Sequence, residues 1–221
     1  MSTPKCIGTL SAHRAKGRKA FSFEYDKEWL NSAPQHLLDP DIGWYSGPQF
    51  PAGKENFGLF LDSMPDRWGR TLMRRRAAIQ AREAGVPAPK LYDIDFLLGV
   101  YDESRMGALR FKRSPDGPFI NENKHYSVPP WSSIRTLQNA AQKIESDDTI
   151  EDLQKWLKVL LAPGSSLGGA RPKANVLDDN QHLWIAKFPS RNDTLDKGAW
   201  EYLTYTLALD AGVNMSSSKL Q

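Results

Sequence analysis

The sequence is poor in the residues that staple small folds or bind metals. It has one cysteine, Cys6, and four histidines in 221 residues. A single thiol excludes an intramolecular disulfide and a cysteine-based zinc site, and it fits a reducing cytosol. Cys6 is read as a small hydrophobe within a strand. His13, His36, His125 and His182 are scattered without metal-ligand spacing, so no metal is assigned to this chain. No apolar run approaches the roughly 20 residues needed to span a bilayer. Residues 1–10 lack the apolar core of a signal peptide. A soluble, cytoplasmic protein with no membrane partner is expected. Charge of one sign is also lacking: 29 Lys and Arg face 26 Asp and Glu, a net +3 that permits an acidic partner without demanding one. No internal repeat is visible.

What is present suffices for a core. About 40% of residues are apolar, including 7 Trp, 9 Phe and 7 Tyr, which argues against wholesale disorder. The length suggests one large or two small domains.

Residues 1–112 read as one unit. Residues 5–10 and 19–25 are predicted strands, with 11–18 as the turn. Pro40, Gly43, Gly47, Pro48, Pro51 and Gly53 mark a loop-rich stretch. A long helix is predicted over 62–84. Leu61, Met64, Trp68, Leu72 and Ile79 fall on one stripe at about 100° per residue. Gly85 and Pro87 stop it. A helix or strand is expected over 94–100 and a strand over 106–112. Residues 113–130 are rich in Pro, Gly, Ser and Asn and read as a linker. In 131–221, helical spacing recurs at 133–144 and 150–161, then a Gly/Ser loop at 163–169. Strands are expected at 172–177 and 183–188, with Asp178-Asp179-Asn180 between them. A helix over 196–210 follows, its stripe formed by Trp200, Leu203, Leu207 and Ala211.

The order of elements from 163 to 211 carries the chemistry. A Gly/Ser loop leads into a hairpin, its second strand bears Lys187, and a helix bearing Glu201 follows. Alternation puts Leu183, Ile185 and Lys187 on one face, so Lys187 is expected among apolar neighbours. An ammonium there must find an anion, either a nucleotide phosphate or Glu201. Gly168-Gly169 lets backbone N–H groups approach phosphate oxygens, and Arg171 and Lys173 add positive charge. The loop matches neither the phosphate-loop pattern ending in Gly-Lys-Ser/Thr nor Gly-x-Gly-x-x-Gly. Each signal alone also has an ordinary reading: a plain loop, a lysine on a solvated face, a surface glutamate.

The segment Ser166-Leu167-Gly168-Gly169-Ala170-Arg171-Pro172-Lys173-Ala174 resembles the glycine-containing loop of HipA-family serine/threonine protein kinases. Trp184-Ile185-Ala186-Lys187-Phe188-Pro189 looks like the family's lysine strand, and Glu201-Tyr202 to Ala211-Gly212 like the helix after it. Phe57 to Arg70 resembles the D-S-L-P-D-x-W-G-R region, and Arg105-Met106-Gly107-Ala108-Leu109-Arg110-Phe111 the G-A-L-x-F block. Arg171-Pro172 departs from the polar-acidic pair of some relatives.

The resemblance implies an α+β fold: a β-rich N-terminal subdomain, then a kinase-like N-lobe of a small antiparallel sheet plus a helix. It implies ATP and Mg²⁺ as cofactors of the full-length protein. Ser166, Leu167, Gly168, Gly169, Ala170, Arg171 and Lys173 would line the phosphate-covering loop, Lys187 would contact the ATP phosphates and Glu201 would orient Lys187. Ser166 is the candidate autophosphorylation site; phosphate there would disrupt an anion-binding loop by like-charge repulsion. The catalytic and metal-binding aspartates would lie beyond Gln221, so this chain alone is expected to lack kinase activity. The implied partners are a HipB-like DNA-binding antitoxin, with DNA met only indirectly, and a protein substrate such as an aminoacyl-tRNA synthetase. That is a toxin–antitoxin role linked to persistence. The alternative is a non-catalytic module that docks onto a separate kinase chain or antitoxin.

Milder readings attach to other residues. Arg67, Arg70 and Arg74 point away from the apolar stripe and read as a solvated helix face rather than a nucleic-acid contact. Trp68 and Trp200 read as core. Asp62 and Asp66 read as helix N-terminal acids rather than a catalytic pair.

Overall fold

A computed structural model describes residues 3–15, 18–32, 37–122, 128–146, 157, 159–160 and 169–221. Contacts divide the chain into two units, Met1–Pro65 with Pro89–Tyr126, and Asp66–Ala88 with Ser127–Gln221. The boundary near 126 falls inside the 113–130 linker read from composition. The segment 66–88 counts with the second unit, whereas along the chain it reads as part of 1–112.

In the first unit, β1 (Gly8–Ala15) and β2 (Arg18–Tyr25) form an antiparallel hairpin with register Gly8↔Tyr25 to Ala15↔Arg18. The strands therefore run well into the 11–18 segment expected as a turn. Cys6 lies outside the strand and is exposed. Alternation along β2 buries Phe21, Phe23 and Tyr25 on one side. The Phe23 ring meets Tyr25 at 5.0 Å and Phe60 at 5.7 Å between centroids, and Phe60 meets Phe57 at 6.0 Å. Helices α1 (Lys27–Ser32), α2 (Gly58–Asp62) and α4 (Asp93–Gly99) complete the unit. With one hairpin among its described residues it is less β-rich than expected. Residues 106–112 form no strand, only an isolated bridge between Lys112 and Phe119.

The loop-rich stretch is ordered by buried polar side chains. Gln49 accepts from Gly43 N at 2.7 Å and donates to Gly43 O at 2.9 Å, while its backbone pairs with Phe23. Asp39 accepts from Asp41 N and Leu59 N. Arg105, 7% exposed, donates to Ser63 O at 3.0 Å and Leu97 O at 2.9 Å, and stacks over Phe111 at 4.7 Å. Burial pulls its pKa down to about 10, against the attraction of Asp102. The start of the Gly-Ala-Leu block is thus where a buried cation ties the carbonyls of two segments, at Ser63 and at the end of α4.

In the second unit, α3 (Arg67–Glu83) starts five residues later than expected. Pro65 disfavours a helical residue before it, and Asp66 caps the new start by accepting from Trp68 N at 3.2 Å. Leu61 falls off the stripe and is 39% exposed, while Trp68 and Leu72 are buried. Gly85 ends α3 at φ +65°, with Val86 N donating back to Ala81 O. Helix α5 (Ile134–Ser146) buries Leu137, Ala140, Ala141 and Ile144, a spacing of i, i+3, i+4 and i+7. Of the helix expected over 150–161, Leu157, Val159 and Leu160 are described and helical; the rest lies outside the described residues. β3 (Lys173–Leu177) and β4 (Leu183–Lys187) form a second antiparallel hairpin, and α6 (Lys197–Asp210) follows, capped by Asp196. Two small antiparallel sheets with several helices are consistent with an α+β class. Among the described residues no helix is long and apolar enough to cross a membrane.

Candidate functional site

The hairpin register sets the geometry. Lys173 stands opposite Lys187, Asn175 opposite Ile185 and Leu177 opposite Leu183. Phe188 N donates to Pro172 O at one end and Asp178 N to His182 O at the other. These bonds make the Lys173–Lys187 pair a non-hydrogen-bonded one, whose side chains stand closest on their face. The Lys173 carbonyl then points away from β4, where the indole N–H of Trp68 donates to it at 3.0 Å.

Two ammonium groups therefore share one face of a two-stranded sheet. Like charges directly opposite repel, and each lysine has an acidic neighbour. Lys187 Nζ donates to Glu201 Oε2 of α6 at 2.6 Å, both side chains more than half exposed. Lys173, 5% exposed, feels Asp66. Burial is the main cause that lowers the Lys173 pKa, with Asp66 opposing and Lys187 adding to the fall. Burial likewise raises Asp66, against Lys173 and the Trp68 backbone N–H. Desolvation outweighs mutual attraction in both partners, which leaves Lys173 responsive to further negative charge.

The exit of the glycine loop lies against this amine. Gly169 has φ +95°, and a Cβ built there would stand 2.6 Å from Lys173 Nζ and 3.8 Å from an Asp66 oxygen. Gly169 O accepts from Trp68 N at 3.4 Å. Trp68 thus grips both the loop exit and the start of β3. The positive φ and the close approach of the Lys173 amine favour a residue without a side chain at 169.

Of the residues expected at the site, Lys173, Lys187, Glu201 and Gly169 come together. Ser166, Leu167 and Gly168 lie outside the described residues. Ala170 is exposed. Arg171 is drawn elsewhere: its guanidinium pairs with Asp193, which also takes Ser190 N at 2.9 Å and shapes the turn after β4. The environment of Lys187 differs from expectation. Leu183 and Ile185 are each 48% exposed, so no apolar burial forces an anion on it. The buried lysine on this face is Lys173. Trp200, expected in the core, is 57% exposed, and Leu203 and Leu207 on the same stripe are exposed too.

Sequence reasoning gave Asp66 and Trp68 only helix and core roles. Their link to Lys173 spans more than a hundred positions and leaves no local signal. Lys173 was more accessible: a turn at 178–180 already places it across from Lys187. Among the described residues no group of three or more His, Cys, Asp or Glu is arranged to hold a metal ion.

Comparison with known proteins gives one family match, and it falls on this part of the chain. Neither a curated protein nor a solved structure matches. A HipA-like C-terminal domain matches residues 165–221, the stretch that carries the loop exit, β3, β4 and α6. The match supports a place for the chain in the HipA family, on roughly its last quarter.

Proposed function

We propose that this chain holds the nucleotide phosphates of a HipA-like serine/threonine protein kinase. The observation that carries the reading is the lysine face: Lys187 in contact with Glu201, opposite a desolvated Lys173 that abuts Gly169. A strand lysine paired to a helix glutamate is the arrangement protein kinases use to fix an ATP-contacting ammonium. A triphosphate fits this donor set, since it relieves the repulsion between two lysines and satisfies backbone N–H groups of a glycine turn. ATP, when bound with Mg²⁺, supplies the transferable phosphoryl group. Lys187 and Lys173 hold its phosphates, Glu201 fixes the direction of Lys187, and the 166–173 loop covers them. Arg171 positions the loop through Asp193 rather than by touching phosphate. No transfer step is assigned to these residues.

Ser166 as an autophosphorylation site, a HipB-like antitoxin and an aminoacyl-tRNA synthetase substrate go with this reading through the resemblance. A second reading, a non-catalytic module docked on another chain, is favoured by one observation: the exposed apolar row of Leu183, Ile185, Trp200, Leu203 and Leu207.

Binding of a fluorescent ATP analogue to the chain tests the proposal. Lys187→Ala should weaken it about tenfold or more, the loss of one charge-assisted contact. Equal affinity in the variant refutes the assignment. Stable capture of a partner with no nucleotide binding favours the second reading.

A further inference from the structure

The geometry points to a second anion site on the other side of the loop exit, specific for a compact phosphate-bearing ligand. An open cavity of about 550 Å³ is lined by Arg67 and Arg75 of α3, Glu145 of α5, Ala170 at the loop exit and Arg191 after β4. Lys173, Lys187 and Glu201 do not line it. Three arginines from two distant stretches of sequence thus line one hollow together with a single carboxylate residue. That carboxylate is committed: Glu145 accepts from Ser190 Oγ and from Arg191 N, each at 2.8 Å. These bonds hold the turn that presents Arg191, and Glu145 keeps its charge. The balance of the lining is positive, and the first turn of a 17-residue helix adds its own partial positive charge at Arg67.

Guanidinium forks match phosphate oxygens bidentately. Their distribution around a concavity, rather than along a row, suits a di- or triphosphate-sized anion and not a polynucleotide backbone, which requires charges tracking a strand. The arginine repeat of α3 thereby divides: Arg74 belongs to the solvated face, and Arg67 and Arg75 to the hollow. The site is separable from the kinase reading, because it shares Trp68 and Ala170 with the loop exit but none of the charged groups of the Lys187 face.

The test uses the whole chain carrying Lys187→Ala, with pyrophosphate as the probe, followed by isothermal titration at low salt. Binding should persist in that background. It should weaken about tenfold for Arg67→Gln and again for Arg191→Gln, the fold-change expected for each charge-assisted hydrogen bond removed. Both side chains are exposed, so melting curves should stay matched to the parent. Arg67→Lys with Arg191→Lys should recover part of the affinity, which a merely misfolded variant would not. Loss of all pyrophosphate binding with Lys187→Ala overturns the second site. So does undiminished binding in the double Gln variant, or an oligonucleotide that binds where pyrophosphate fails.

Discussion

Replacing Trp68 by Phe isolates the contact that ties α3 to the lysine strand. The indole N–H donates to the Lys173 carbonyl at 3.0 Å, and Trp68 is 4% exposed. Lys173 sits at a non-hydrogen-bonded position, so its carbonyl faces away from β4 and the ladder offers no replacement donor. Removing the indole leaves a buried acceptor without its partner, at a cost of about 1–3 kcal/mol. The smaller ring forfeits roughly 1 kcal/mol of apolar burial. Together they predict a loss of about 2–4 kcal/mol, read as a shift in the urea midpoint by far-UV circular dichroism. The thermal midpoint should fall by roughly 2–4 °C for each kcal/mol. Hydrogen exchange should quicken at Arg171 and Lys173, because the indole no longer fixes the Lys173 carbonyl beside the loop exit. Trp184→Phe is the control: its indole bonds Asp178 at an exposed turn, where water can substitute. A Trp68→Phe chain within about 0.5 kcal/mol of the parent would refute the account of α3 as the anchor of the loop exit.

Three further outcomes follow from the same geometry. Glu201→Gln should change stability by less than about 1 kcal/mol, because both members of its pair with Lys187 are exposed and screened, yet it should weaken nucleotide binding severalfold; equal binding would reduce the pair to surface decoration. Arg105→Met should cost about 3–5 kcal/mol in urea unfolding, since Ser63 and Leu97 carbonyls lose a buried charged donor; a neutral result would show that packing alone holds that segment. Asp178 is held down to about 2 by hydrogen bonds, first from His182 N and then from the Trp184 indole. A carboxyl with a folded pKa below its ordinary value stabilises the fold above that ordinary value and loses the contribution as pH falls toward the folded one. The Trp184 indole resonance should therefore hold steady at pH 5 and move between about pH 4 and 2; movement already complete at pH 4 would break the assignment.

The legible parts of the fold were those where a local rule acts without competition. The turn residues 178–180 and the alternation around them gave β3 and β4 almost to the residue. Gly85 at φ +65° ended α3 where the sequence said it would. The long helix began too early because the apolar spacing of Leu61 and Met64 continued across Pro65. Periodicity reports which residues are apolar on a common face, whereas Pro65 and the Asp66 cap decide where the backbone becomes helical. The strand expected over 106–112 failed for a related reason. Phe111 stacks against Arg105, and among the described residues the backbone of 106–112 finds one bridge.

At the candidate site, Gly169, Lys173, Lys187 and Glu201 lie together, but their electrostatics differ from those expected from the sequence. Alternation correctly placed Lys187 with Leu183 and Ile185, but alternation says nothing about whether a face is covered. Here that face is open, and Lys187 is held by Glu201 rather than by burial. The desolvated cation is its cross-strand partner, and the reason lies outside the hairpin: the α3 start brings Asp66 and the Trp68 indole onto Lys173. A buried lysine beside a glycine at φ +95° can hold an added negative charge at little reorganisation, because its desolvation is already met by folding. An exposed lysine such as Lys187 must be steered by its glutamate instead. On the proposed reading the two lysines divide the work of binding one anion, Lys173 by standing preformed at the loop and Lys187 by reaching from an open face, and substitution of either should fail in a different way: Lys173→Ala by loosening the loop, Lys187→Ala by lowering affinity with the loop intact.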